Sequence, residues 1–233
     1  MTLPGFLPTR QLVLVDLLAL LMSVRPGERA VVAVDGVDGA GKTHLVGELL
    51  ALAPHVAGRE LHAVSMDGFH RPRRERYARG RSAETCYEDS YDYEAFRRCV
   101  TRPFRAGREV RPAVHDVATD AAVHPDPVEP SEDAVLLVEG VFLRRPELVD
   151  EWDASLLVLV PLEVATPRGN ARFPHRRVPG DEDPDHPANA RYVAGQRRYL
   201  QQARLHPPTW ILDNTDLQRP QLLEPDPDAP QWF

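Results

Sequence analysis

Five short apolar segments alternate with more polar stretches along the 233-residue chain. They are rich in β-branched and aliphatic residues and occupy residues 30–35, 61–66, 134–138, 156–160 and 210–213. Helices are expected between them at residues 42–52, 93–101, 162–172 and 190–205. Short apolar runs that alternate with helical segments indicate a parallel sheet flanked by helices. The pattern therefore predicts an α/β fold around five parallel strands.

The remaining segments suggest a single domain with additions at both ends. Residues 1–28 are expected to form a helical extension whose apolar run, 11–22, is too short to cross a bilayer or act as an anchor. The main domain is expected at residues 29–216. Within it, the polar, proline-rich segment 173–189 is typical of a mobile lid. The proline-rich tail, 217–233, is expected to wrap the surface or be partly disordered.

The composition argues against several classes of function. The net charge of −7 and pI of about 5.7 argue against a nucleic-acid partner, since such proteins usually carry a basic face. The only two cysteines, Cys86 and Cys99, suggest neither a disulfide framework nor a zinc site, so a soluble cytoplasmic protein without a membrane partner is expected. Among the 28 basic residues there is a single lysine, Lys42, and its position carries chemistry.

That lysine belongs to the strongest local motif, VDGVDGAGKT, which follows the first apolar segment and precedes a predicted helix. Gly36, Gly41, Lys42 and Thr43 match the Gly-x-x-x-x-Gly-Lys-Ser/Thr pattern of a phosphate-binding loop (P-loop). Glycines let successive backbone N–H groups face a phosphate, Lys42 adds a charge between the β- and γ-phosphates, and the Thr43 hydroxyl is a ligand for Mg²⁺. The residues expected to bind the nucleotide are Gly36, Asp38, Gly39, Ala40, Gly41, Lys42, Thr43 and His44.

Two carboxylates follow other predicted strands. Asp67, in SMDGFH, comes at the end of the second strand, where it could accept a proton from an attacking hydroxyl and help to hold Mg²⁺. Glu139, in AVLLVEG, ends the third strand and could ligate Mg²⁺ directly or through water. Taken singly, Asp67 could be a turn residue before Gly68 and Glu139 an ordinary charge at a strand end. Together with Lys42 they predict one phosphoryl-transfer site.

The motifs VAVDGVDGAGKT, SMDGFHRPR, SYDYEAF, LLVEGVF and RYVAGQRRYL resemble the uridine kinase and phosphoribulokinase family of P-loop kinases, over about residues 29–216. The resemblance implies a doubly wound sheet, ATP and Mg²⁺ as cosubstrates, and a nucleoside or sugar hydroxyl as the acceptor. It assigns phosphate and metal contacts to Lys42 and Thr43, the catalytic base to Asp67, and support of Mg²⁺ to Glu139.

The resemblance also implies a lid whose arginines steady the transferring phosphoryl group. Arg168 and Arg172, four residues apart on one predicted helix face, fit this role, and Arg176 is a further candidate. With arginine so abundant, a solvated surface position is the alternative for each of them.

Acceptor contacts are expected on several segments. Asp92 is the first candidate for the acceptor sugar, with Tyr91 or Asp89 as alternatives if the alignment shifts by one residue. Arg191 occupies a position that faces the acceptor in the family. His70 either faces the acceptor or is a structural histidine.

One segment departs from the family pattern. Where uridine kinases carry a Tyr-Asp pair and then a histidine, PAVHDVATD has His115 and Asp116, and then Asp120. The base-binding pocket is therefore expected to be altered, so that uridine is a poor acceptor or is held differently. The sequence DNTD at 213–216 could lie beside the adenine or form a simple turn.

The sequence thus predicts an ATP-dependent kinase that phosphorylates a hydroxyl of a nucleoside or a related small molecule. The alternatives are a kinase of another acceptor, such as a sugar phosphate, a pantothenate-like alcohol or a specialised metabolite, and a nucleotide-binding regulator without transferase activity. Asp67 argues against the regulator, because binding without transfer does not require a base. A homo-oligomer is compatible with the sequence.

Overall fold

A computed structural model describes residues 9–56 and 58–225. Within these residues the strands are β1 (Ala30–Asp35), β2 (Leu61–Ser65), β3 (His115–Asp116), β4 (Ala121–Ala122), β5 (Val135–Gly140), β6 (Ala154–Leu159), β7 (Trp210–Asp213) and β8 (Gln221–Leu223). The main sheet has the order β2-β5-β1-β6-β7-β8, and β3 and β4 form a separate two-stranded ribbon.

The predicted α/β fold and its five parallel strands are confirmed, because β2, β5, β1, β6 and β7 all pair in parallel. The main sheet has six strands where five are expected, since β8 adds an antiparallel edge strand against β7. The strand β8 lies in the segment for which a surface wrap or partial disorder is expected. Residues 1–8 and 226–233, at the ends of the predicted extension and tail, lie outside the described residues.

The helices are α1 (Thr9–Met22), α2 (Lys42–Val56), α3 (Arg73–Arg76), α4 (Ala83–Asp89), α5 (Tyr93–Phe96), α6 (Arg102–Arg105), α7 (Leu162–Ala171) and α8 (Ala190–Ala203). A π-helical turn, Arg97–Thr101, joins α5 to α6, so this helical stretch continues beyond the predicted end at residue 101. The sequence pattern missed α3 and α4, which are short. Ser82 begins α4 through a capping box with Thr85.

The strands β1 and β5 are buried at every residue, as expected for central strands covered on both faces by helices. The helix α1 belongs to the same core, to which it contributes Leu14, Leu17, Leu18 and Leu21 at helical spacing. Because β1 lies between β5 and β6, the chain order reverses at β1. Ligands of such sheets bind beyond the carboxyl ends of the strands at this reversal point, which places the loop after β1 at the expected site.

Candidate active site

The loop 36–41 turns sharply between β1 and α2, and two of its glycines are required by geometry. Gly39 and Gly41 have positive φ angles of 79° and 92°. A Cβ atom on Gly39 would lie 2.0 Å from the Ala165 carbonyl oxygen of α7, and one on Gly41 would lie 2.9 Å from Asn214 Nδ2. Any side chain at either position would therefore displace the loop.

The inner surface of this loop is rich in hydrogen-bond donors. The amides of Gly39, Gly41, Lys42 and Thr43 donate to no acceptor within the described chain. The buried Lys42 ammonium lies inside the curve of the loop and donates to the Gly36 and Val37 carbonyls, each at 2.9 Å. Converging N–H groups and a cation at a helix N-terminus form an anion site suited to nucleotide phosphates.

Other loop residues differ in their placement. The Asp38 amide donates to Gln196 Oε1 of α8 at 2.6 Å, so α8 fixes the outer side of the loop. The His44 side chain is 80% exposed, and its Nε2 lies 3.9 Å from Glu48 Oε1. Its predicted contact with the nucleotide stays a prediction.

Two side chains near the loop have the chemistry of metal ligands. Thr43, in the first turn of α2, is exposed, and its hydroxyl has no hydrogen-bond partner among the residues described. Glu139 is only 7% exposed at the end of β5, between Val34 and Ser65 of the adjacent strands, and pairs with no described cation. Nowhere in residues 9–56 and 58–225 do three or more acidic, histidine or cysteine side chains form a metal site. These few oxygen donors fit Mg²⁺, which keeps several waters and binds phosphate oxygens.

Asp67 reaches the same edge of the sheet through the turn Met66–Phe69, which follows β2 directly. Ser65 caps this turn by accepting the Asp67 amide at 3.3 Å. The Asp67 side chain is 64% exposed, and its Oδ1 accepts a hydrogen bond from the Tyr91 hydroxyl at 3.2 Å. The other carboxylate oxygen has no partner within the described chain. Asp67 is therefore an accessible, oriented acceptor for a proton.

His70 and Tyr91 support this turn. The His70 Nδ1 lies 3.0 Å from the Asp67 carbonyl oxygen, and the His70 and Tyr91 ring centroids are 4.4 Å apart. Burial lowers the pKa of His70, while burial followed by the nearby Asp67 charge holds the pKa of Tyr91 well above its usual range. Tyr91 is thus protonated at neutral pH and can donate to Asp67, and His70 contacts the turn; contact of His70 with the acceptor stays a prediction.

The other candidates for the acceptor sugar have structural partners. Asp92 begins α5 by accepting the Ala95 amide at 2.9 Å, and Asp89 accepts from Arg79 Nε at 2.9 Å. Of the three alternatives, Tyr91 is the one whose side chain contacts Asp67. The contact of Asp92 with the acceptor stays a prediction, and only its second carboxylate oxygen is free to make that contact.

The two altered base-pocket positions lie together. His115, at the start of β3, is 7% exposed, and its Nε2 lies 3.3 Å from Asp120 Oδ1. Asp120 adopts a positive φ of 59° and accepts the Arg73 amide at 2.8 Å. That amide lowers the pKa of Asp120, so the group is a carboxylate at neutral pH. Asp116 holds the turn that follows by accepting the Ala118 amide at 2.8 Å.

The candidate lid arginines face different parts of the site. Arg168 donates to the carbonyl oxygens of Asn214 and Thr215 at 3.2 and 2.6 Å, so it lies against the loop after β7. Arg172 Nη2 lies 4.0 Å from Asp38 Oδ1 and faces the phosphate loop. Arg176 lies over the Phe173 ring, 4.9 Å from its centroid. Steadying of the transferring phosphoryl group by Arg168 and Arg172 stays a prediction, with Arg172 the better placed of the two.

The expected lid segment, 173–189, is organised around Asp181, which is 3% exposed. Arg177 pairs with the Asp181 carboxylate at 2.7 Å. The side-chain amides of Asn170 and Asn189 donate to the Asp181 carbonyl oxygen at 2.7 and 2.8 Å. The bonds from Arg177 and Asn189 are internal to the segment, whereas the bond from Asn170 ties it to the end of α7.

Two buried networks near the site were not predicted. At the end of β1, Asp35 is fully buried and accepts from Arg144 Nε at 2.9 Å and from the Tyr199 hydroxyl of α8. After β7, Asn214 Nδ2 donates to the Ala40 carbonyl oxygen at 2.8 Å, while its Oδ1 accepts from Arg10 Nη1 at 3.0 Å. The only sequence signals were an aspartate closing an apolar strand and an asparagine in a turn-like tetrapeptide.

Comparison with solved structures decides the fold group. The chain is similar to a possible uridine kinase from Bacillus stearothermophilus, with 21% identity over 83% of this chain and 93% of that one and a TM-score of 0.64. A candidate fructose transport system kinase from Silicibacter sp. TM1040 has 26% identity, coverage of 81% and 94%, and a TM-score of 0.65. The chain has the fold of the P-loop kinases.

A more distant P-loop kinase structure gives the same result. The D-glycerate 3-kinase from Cryptococcus neoformans has 12% identity over 80% of this chain and 87% of that one, with a TM-score of 0.57. No protein-family model and no curated protein matches the sequence. The motif-based prediction of a P-loop small-molecule kinase resembling uridine kinases is therefore confirmed through its structural neighbours, which differ in the acceptor that their names give. In the described part of the chain, every helix is too short or too polar to cross a membrane.

Proposed function

We propose that this chain transfers the γ-phosphoryl group of ATP to a hydroxyl group of a small molecule. The observation that carries the proposal is the position of Asp67, an exposed carboxylate held by Tyr91 at the end of β2. It stands at the carboxyl edge of the sheet from which the phosphate loop and Glu139 also emerge. A nucleotide-binding regulator would need the loop but not this base.

The chain's own residues fit an in-line transfer. The acceptor hydroxyl donates its proton to the free oxygen of Asp67 as its oxygen bonds to the γ-phosphorus, and the bond from that phosphorus to the bridging oxygen of ADP breaks. The loop amides and Lys42 hold the phosphates. Mg²⁺, held by Thr43 and Glu139 together with the phosphates, would neutralise charge on the phosphoryl oxygens.

Positioning and charge neutralisation supply most of the catalysis in reactions of this kind. Tyr91 contributes to positioning, because its hydroxyl donates to Oδ1 of Asp67 while the other carboxylate oxygen has no partner in the described residues. Arg172 approaches the loop from the lid side and would meet the transferring group on closure.

A nucleoside acceptor follows from the resemblance, but one observation favours another acceptor over a pyrimidine nucleoside. His115 and Asp120, at the positions expected to read the base, contact each other and a backbone amide of α3. A carboxylate that already accepts a backbone amide contributes less to recognition of a base, and His115, whose Nε2 has no hydrogen-bond partner in the described residues, stands where the family carries an aromatic hydroxyl. Uridine should therefore be a poor acceptor.

The proposal is tested by measuring ADP release with ATP, Mg²⁺ and a panel containing uridine, cytidine, fructose, glycerol, D-glycerate and D-ribose 5-phosphate. We expect acceptor-dependent release with at least one compound, at a rate lowered on the order of 100-fold by Asp67→Asn. The matched control is Asp150→Asn, which changes an exposed carboxylate in the turn that precedes β6, at the amino end of the parallel strands. Equal activity of Asp67→Asn and the parent would refute the assignment of the base.

A further inference from the structure

Three arginines converge on one tyrosine beside the proposed acceptor site. The guanidinium carbons of Arg81, Arg191 and Arg76 lie 4.4, 5.0 and 5.4 Å from the centroid of the Tyr77 ring. We call these four residues the Tyr77 cluster. An aromatic face attracts each cation, but the like charges repel one another.

The cluster has few anionic partners within the described chain. Arg191 donates to the neutral Thr85 hydroxyl at 2.9 Å and the Ser82 carbonyl at 3.2 Å, and its buried Nε has no acceptor. Arg76 is only 8% exposed, and its Nε donates to a neutral acceptor, the Arg71 carbonyl oxygen, at 2.8 Å. The side chain of Arg81 has no hydrogen-bond or ion-pair partner in the described residues.

One carboxylate forms a long ion pair with the cluster and offsets only part of its positive charge. Asp120 Oδ1 lies 3.8 Å from Arg76 Nη2, beyond hydrogen-bond distance, and it already accepts the Arg73 amide. The neighbouring His115 carries a buried Nε2 without a hydrogen-bond partner. The three arginines therefore carry more positive charge than Asp120 offsets, and the Nε2 of His115 and the Nε of Arg191 have no hydrogen-bond partner in the described residues.

The position of the cluster relates it to both halves of the active site. Arg191 lies on α8, the helix whose Gln196 accepts the Asp38 amide of the phosphate loop at 2.6 Å. On the other side, Arg76 Nε donates to the carbonyl oxygen of Arg71, whose own Nε donates to the Tyr91 carbonyl at 3.0 Å, and the Tyr91 hydroxyl donates to Asp67. The Tyr77 cluster is thus connected to the phosphate loop through α8 and to the proposed base through Tyr91.

We propose that the Tyr77 cluster binds an anionic group, a carboxylate or a phosphate, on the molecule whose hydroxyl is phosphorylated. The inference rests on the proposed function for the identity of the site, and it names the substrate class. Guanidinium groups bind carboxylate and phosphate oxygens in pairs, and one such anion would satisfy Arg191 and offset the repulsion among the three cations. Fixing this end of the acceptor orients its hydroxyl towards Asp67.

The experiment compares neutral and anionic partners of the same skeleton: glycerol with D-glycerate, D-ribose with D-ribose 5-phosphate, and uridine with uridine monophosphate. Binding is measured calorimetrically with a saturating non-hydrolysable ATP analogue and Mg²⁺, so that the phosphate loop is filled and cannot bind the probe. Transfer is measured separately by ADP release with ATP. The pair with D-glycerate tests a carboxylate, and the two pairs with phosphate esters test a phosphate.

The variants are Arg81→Gln, which changes an exposed side chain, and the double variant with Arg191→Gln. The matched control is Arg74→Gln, because Arg74 is 86% exposed, lies on the same segment and approaches only Glu75. We expect the anionic member of at least one pair to bind better. In the double variant its affinity and kcat/KM should fall on the order of 100-fold, chiefly through KM. Arg74→Gln should be unchanged, and circular dichroism shows whether each variant is folded.

Failure of this inference can be told apart from failure of the proposed function. Equal use of neutral and anionic members would overturn the anion site and leave the kinase in place. Anion binding that depends on Arg81 and Arg191 but leads to no transfer would support the site and reject the transferase. Absence of anion binding, or binding that the folded variants leave unchanged, would overturn the inference.

Discussion

Replacing Asn214 with alanine is the sharpest test of how the phosphate loop is supported. Asn214 is fully buried after β7, and it contacts Ala40 in the loop and Arg10 on α1. Arg10 in turn donates to Glu48 of α2 and, at 2.9 Å, to the Leu217 carbonyl. Asn214 therefore connects the phosphate loop to α1, although it lies 174 residues after Ala40 and 204 residues after Arg10 in the sequence.

The expected loss follows from these contacts. Truncation leaves the buried Ala40 carbonyl without its described donor, at a cost of about 1–3 kcal/mol. The lost bond from Arg10 adds about 1 kcal/mol, the low end for a charged donor, because Arg10 keeps Glu48 and Leu217 as partners. We expect Asn214→Ala to lower the free energy of unfolding by about 3 kcal/mol, and the melting temperature by roughly 6–12 °C for a domain of this size.

Urea unfolding and the KM for ATP are the two measurements. The KM should rise roughly tenfold, because a loosened loop no longer presents its amides in a fixed arrangement. Asn214→Asp keeps an acceptor for Arg10 but turns an oxygen towards the Ala40 carbonyl, so it should not restore stability. The control is Gln218→Ala, in the same loop with an exposed side chain. An Asn214→Ala protein that unfolds at the parent urea concentration with an unchanged KM would refute the reasoning.

Three further outcomes are expected. Lys42→Ala should abolish most transfer while circular dichroism stays unchanged, because it removes a phosphate contact from a loop; full activity in the folded variant would contradict the loop assignment. Tyr91→Phe should lower kcat less than Asp67→Asn, since it removes only the group that orients the base; equal losses would contradict this ranking. The hydrogen bond from Arg10 lowers the pKa of Glu48 below 4.5 in the folded state. The ionised Glu48 therefore stabilises the fold above pH 4.5, and this stabilisation is lost as the pH falls through the folded-state pKa. Glu48→Gln should make the free energy of unfolding in urea less dependent on pH in this acid range.

The sheet could be predicted because its strands are encoded locally. Each parallel strand is a short apolar run, and β1 and β5 are apolar almost throughout. The strand β8 could not be recognised in this way, since its three residues are exposed or half-buried and lie among prolines. Its pairing with β7 is a tertiary contact that no local pattern encodes.

Some residues of the site could likewise be predicted from local sequence, and others could not. Lys42, Asp67 and Glu139 follow strands in recognisable motifs, and the structure brings their strands to one edge of the sheet. The placement of individual arginines could not be predicted, because Arg168 and Arg172 share one helix face in sequence but contact different loops. Side-chain direction near a helix end depends on the surrounding loops, and the sequence alone does not provide them.

The buried network of Asp35 shows a further limit. Asp35 bonds to Arg144 and Tyr199, which are 109 and 164 residues away. A sequence reading sees only an aspartate at the end of an apolar strand. Once the fold is known, the group is required, because a fully buried carboxylate must have charged and hydrogen-bonding partners.

The supports of the phosphate loop also limit which part of the molecule can move. Ala165 of α7 packs directly against Gly39, and Gln196 of α8 holds the Asp38 amide at 2.6 Å. The expected lid, 173–189, connects these two helices. If α7 or α8 shifted as a whole on closure, it would disturb the loop amides that must stay fixed to hold the phosphates. Closure should therefore be confined to the segment between the two anchors. It should break the bonds from Asn170 of α7 to Asp181 and Asn189, while the Arg177–Asp181 pair and the bond from Asn189 to Asp181 stay within the moving segment.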